Sequence, residues 1–131
     1  MPISVLVVDD DVDTLDVFCT MLELNDHDVV GKGKDGKEAF ELYKKVSPDV
    51  VLLDIMMSNY NGFYAIEKIM DFDPKAKIVV VTGDLTEDTA KKLQELGVAE
   101  MLYKPYEIDD VSKVVNCAVQ GKKIYSADLV E

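Results

Sequence analysis

Short strand-like blocks rich in apolar residues alternate five times along this chain with longer stretches in which apolar residues recur every three or four positions. The blocks centre on Ile3 to Val8, His27 to Gly31, Asp49 to Leu53, Lys77 to Val81 and Glu100 to Tyr103. Runs such as Val5-Leu6-Val7-Val8 and Val50-Val51-Leu52-Leu53 carry no polar alternation. That is the pattern of strands buried on both faces. The intervening stretches have helical spacing: Val12, Leu15, Cys19 and Leu22 in the first, Ala39, Phe40, Leu42 and Tyr43 in the second, Phe63, Ile66, Ile69 and Met70 in the third. A fourth helix opens at Thr86-Glu87-Asp88, and a fifth, about Ile108 to Val119, carries Val111, Val114, Val115 and Ala118. Strand and helix in regular alternation predict an α/β domain with a parallel sheet and crossover helices.

The punctuation agrees with the periodicity. Asp11 is placed to cap the first helix, and Asp35-Gly36 opens the second. Ser47-Pro48 closes the second, because a residue before proline is pushed out of the helical region. Gly97 is a natural stop for the fourth helix and Gly121 ends the fifth. Residues 1–121 are thus expected to form one domain, with 122–131 a short tail or the start of a linker.

Composition narrows the function classes. With 131 residues and 48% apolar content the chain can bury one substantial core. A net charge of -12 argues against direct nucleic-acid binding, which needs phosphate-neutralising bases. It also disfavours an anionic membrane surface. No apolar run approaches the length of a membrane span, and no secretory signal precedes the first strand, so a cytoplasmic location is expected. Cys19 and Cys117 are isolated thiols on helical segments, expected to pack rather than to pair.

The strand ends carry the chemistry. The first, third, fourth and fifth strands deliver Asp9-Asp10, Asp54, Thr82 and Lys104 to one edge, the edge where open α/β sheets bind ligands. Three carboxylates in one crevice repel one another and favour a hard divalent cation. Mg²⁺ suits one or two carboxylates completed by waters and a phosphate oxygen. Lys104 adds fixed positive charge and Thr82 a hydroxyl, a set suited to in-line phosphoryl transfer by charge neutralisation and positioning.

Val-Val-Asp-Asp-Asp after the first strand, Val-Leu-Leu-Asp54-Ile-Met-Met, Val-Val-Thr82-Gly and Lys104-Pro105 stand in the order and on the elements of a known family. Over about residues 3 to 119 the sequence resembles a receiver domain of two-component response regulators, of the chemotaxis-regulator kind. The resemblance implies a flavodoxin-like, doubly wound five-stranded sheet in the order 2-1-3-4-5 with five helices. It implies that Asp54 accepts a phosphoryl group from a histidine kinase or phosphotransfer protein and that a downstream protein target reads the change. Asp10 would hold Mg²⁺ directly, Asp9 directly or through water, and Asp54 and the Met56 backbone carbonyl would complete the protein ligands. Thr82 and Lys104 would hold the phosphoryl oxygens, and the bond before Pro105 would be cis. Such a domain is a signalling module that promotes its own phosphorylation and dephosphorylation.

Three features bear on the fit to the family pattern. Ser58 stands where members usually have proline, and Met101 where many have an aromatic residue; Tyr103 should share the face of Met101 by strand alternation. Met56 and Asp84 occupy the positions that tune acyl-phosphate lifetime in the family. The alternative function is a constitutive interaction module that keeps the fold without phosphorylation. A hydrolase with an aspartyl nucleophile would need a second carboxylate just after Asp54, where Ile55 and Met56 stand.

Overall fold

The computed structural model describes residues 2–55, 62–83, 86–103 and 108–120. Along the chain run β1 (Ser4–Val8), α1 (Val12–Leu24), β2 (Asp28–Gly33), α2 (Gly36–Val46), β3 (Val50–Asp54), α3 (Gly62–Phe72), β4 (Ile78–Thr82), α4 (Glu87–Leu96), β5 (Glu100–Tyr103) and α5 (Ile108–Val119). The strands form one parallel sheet in the order β2-β1-β3-β4-β5. This is the doubly wound architecture expected from the sequence. Each crossover places a helix on one face or the other, so the central strands are buried on both sides.

Strand alternation divides the core in two. Leu6, Val8, Val51, Leu53 and Val80 face the layer of α2, α3 and α4, where Ala39, Ile66, Ile69 and Leu93 meet them. Val5, Val7, Val50, Leu52 and Val79 face α1 and α5, meeting Leu15, Cys19, Leu22, Val111 and Val115. Each such aliphatic side chain contributes about 1.5–3 kcal/mol when fully buried, so both faces hold the strand ends in place.

Local signals act as anticipated, with a few shifts. Asp11 caps α1, accepting from the amides of Asp13 (3.1 Å) and Thr14 (3.4 Å). Gly97 ends α4 at φ 88°, a left-handed turn that glycine adopts without a Cβ clash. Ser47 ends α2 in the same region, at φ 45°. Val12 does not join the core: it is 46% exposed, and the buried stripe of α1 runs Leu15, Phe18, Cys19, Leu22. β2 begins one residue later and ends two later than its apolar run, since pairing with β1 continues through Lys32 and Gly33. Cys19 is buried and Cys117 half-buried, both as free thiols. Burial raises the Cys19 thiol to about 11, with nearby Lys32 opposing, so the thiolate needed for reactivity is suppressed. No described helix is long and apolar enough to cross a membrane.

Candidate functional site

β1 and β3 are neighbours in register, Val8 opposite Leu53, so the residues that follow them emerge side by side. Asp9 leaves β1 with its amide donating to the Gly33 carbonyl at 3.0 Å, which ties the acidic turn to the end of β2. Its Oδ1 accepts from the Asp11 amide at 3.0 Å. Asp9 is half-buried and Asp10 exposed. Asp54 is the last residue of β3, not the first of a loop, and is 7% exposed. Thr82 closes β4 and is fully buried. Register places Asp54 opposite Val81 and Thr82 opposite Tyr103.

Asp9 and Asp54 line one cavity of about 20 Å³, room for a single water. Its walls are otherwise apolar: Val7, Val8, Leu52, Leu53 and Val81 from the sheet and Phe18 from α1. Phe18 is the one lining residue that the sequence reading passed over. The signal was present, because it stands three residues after Leu15 and four before Leu22. The apolar wall lowers the local dielectric, so charge introduced at Asp54 acts more strongly on its neighbours.

Among the described residues no three His, Cys, Asp or Glu side chains gather into a metal cluster. A pair of carboxylates on a single small cavity is nonetheless the donor set that suits Mg²⁺, which takes few protein ligands and keeps its waters. Met56, Lys104 and Pro105, together with Ser58 and Asp84, lie outside the described residues. Of the anticipated site, the structure therefore brings Asp9, Asp10, Asp54 and Thr82 to one sheet edge. Met101 is 2% exposed within the core cluster that includes Val80, Leu93 and Val98. Tyr103 is half-buried beside Thr82.

Residues 5–116 match the family model described as the response regulator receiver domain. The chain belongs to that family. The receiver is a signalling module of two-component systems. It is 37% identical over 112 residues to Protein CcdB of Bacillus subtilis, covering 86% of this chain and 93% of the relative. It is 28% identical over 131 residues to the response regulator protein VraR of Staphylococcus saprophyticus, covering 99% of this chain but only 63% of that longer protein. Among solved structures it resembles the CheX-CheY-BeF3-Mg²⁺ complex from Borrelia burgdorferi at a TM-score of 0.83 and 28% identity, covering 88% of this chain and 87% of that one.

Proposed function

We propose that this receiver is a phosphorylation switch in which Asp54 takes a phosphoryl group from the phosphohistidine of a partner kinase or phosphotransfer protein. The observation that carries the reading is the cavity shared by Asp9 and Asp54, at the carboxyl edge of the sheet and one strand from Thr82. A carboxylate oxygen of Asp54 attacks phosphorus in line. The P–N bond breaks, its electron pair returns to the imidazole nitrogen, and an acyl phosphate remains. Asp9 and Asp10, with Asp54 and the Met56 carbonyl, would hold Mg²⁺. When bound, the ion neutralises charge on the phosphoryl oxygens.

Thr82 donates its hydroxyl to one phosphoryl oxygen and Lys104 pairs with another. Both interactions exist only once the phosphoryl group is present, so phosphorylation gives the edge a differential pull on β4 and β5. Output then passes to a downstream protein rather than to nucleic acid, in keeping with the acidic charge. The CheX-CheY complex is an example of a similar protein bound to another protein.

Incubation with Mg²⁺ and a small phosphodonor, followed by intact-mass measurement, tests the proposal. The wild type should gain one phosphoryl mass and Asp54→Asn none. Equal labelling of both would sink it, and a wild type that neither labels nor binds Mg²⁺ would favour the constitutive module.

A further inference from the structure

Away from the phosphoacceptor edge, one buried polar contact joins distant parts of the chain. His27, the only histidine in the sequence, follows the turn that ends α1. It is buried, at 8% exposure. Its amide donates to the Leu22 carbonyl at 3.1 Å. Its Nε2 lies 3.1 Å from Ser112 Oγ on α5. Its Nδ1 is buried and meets no hydrogen-bond partner among the described residues.

This geometry treats the two protonation states differently, whichever tautomer the neutral ring adopts. If Nε2–H donates to Ser112, the added proton lands on Nδ1. If Nε2 accepts from the Ser112 hydroxyl, protonation turns that acceptor into a donor while Nδ1–H still lacks an acceptor. Either way the imidazolium holds a charged, buried N–H that no described residue receives. The groups facing the ring do not compensate. α5 presents Ser112 and Asn116, β1 is approached by Ile3, and the end of α1 gives Asn25. Asp26 is the one ionisable group lining the adjoining cavity with His27. It favours the charged ring, but burial is the larger influence and holds the imidazole below its ordinary 6.5.

We propose that the His27–Ser112 contact is a proton-controlled latch between the α1–β2 turn and α5, closed while the ring is neutral and released when it takes a second proton. The adjoining cavity, of about 220 Å³, gives the charged ring a route to water. α5 packs on β4 and β5, the strands that carry Thr82 and Tyr103, so the latch bears on the footing of the phosphoacceptor edge. It operates without phosphorylation and is independent of the role given to Asp54.

NMR on the full chain between pH 8 and pH 5 tests it. The His27 ring resonances should titrate with a midpoint below 6.5, and the Ser112 amide should follow with the same midpoint. Exchange of the α5 amides, corrected for its intrinsic pH dependence, should accelerate below that midpoint. In His27→Gln the acceleration should be absent. If that variant fails to fold, the wild-type exchange profile decides alone. A ring midpoint at or above 6.5, α5 exchange indifferent to the ring's titration, or acceleration that persists in His27→Gln each overturns the latch.

Discussion

Gly62 lies directly against the backbone of Ile55: its amide donates to the Ile55 carbonyl at 3.3 Å, and a Cβ built on it would overlap the Ile55 Cα. The contact fastens the start of α3 to the residue after Asp54. Backbone cannot rotate aside as a flexible side chain can. Gly62→Ala is therefore expected to lose about 1–3 kcal/mol, the usual cost of overpacking, in urea unfolding. Gly83 is the contrast, since a Cβ there meets nothing within 4 Å. Gly83→Ala should stay within about 0.5 kcal/mol of wild type. Equal costs at the two glycines would contradict the packing argument.

Tyr43 donates its hydroxyl to Asp73 Oδ2 at 2.7 Å, joining α2 to the end of α3. That bond, followed by the Lys75 amide, holds the Asp73 carboxyl below its ordinary value. A depressed carboxyl stabilises the fold above the unfolded value, near 3.8, and loses that contribution as pH falls through the folded value. Tyr43→Phe keeps the ring edge-on to Phe72 and removes only the hydroxyl. It should cost about 1 kcal/mol at pH 7, and the gap from wild type should shrink as pH falls below about 3.8. A gap that is constant from pH 7 to pH 2.5 would show that the pair is not linked to Asp73 ionisation.

Thr82 is the buried residue through which charge at Asp54 is expected to reach β5, because Tyr103 is its register partner. Thr82→Val keeps the β-branched shape and loses the hydroxyl. The fold should survive a loss of about 1 kcal/mol. Asp54 should still accept a phosphoryl group, while the phosphorylation-induced shift of the Tyr103 amide, read by NMR, should collapse. An undiminished shift would mean that another residue carries the response.

The sheet was legible because β1, β3 and β4 are almost wholly apolar runs, and polar residues at their ends stand out against them. Asp9, Asp10, Asp54 and Thr82 needed no more than that. Burial that depends on a partner element was not legible. His27 looks like a turn residue beside Asp26 and Asp28, yet α5 arrives from 85 positions away to cover it. Val12 has helical spacing with Leu15 and Cys19, but it stands at the first position of α1, at the sheet edge, where the described residues leave it 46% exposed. Met101 shows the same dependence: its core neighbours Leu93 and Val98 are supplied by α4 and the turn after it.

Asp10 stands exposed between two further acids, Asp9 and Asp11. Like charges a few ångströms apart near a surface cost on the order of 1 kcal/mol at low salt. Asp10→Asn should therefore be more stable than wild type by up to about 1 kcal/mol in EDTA. Mg²⁺ should reverse the order. A ligand present at a hundredfold its dissociation constant adds about 2.7 kcal/mol to the state that binds it, and the wild type keeps the carboxylate that the variant has lost. Thermal unfolding of both proteins across a Mg²⁺ titration reads the crossing directly. The two curves would run parallel if Asp10 were only a solvated acid near the start of α1, and the ligand role proposed for it would then be withdrawn.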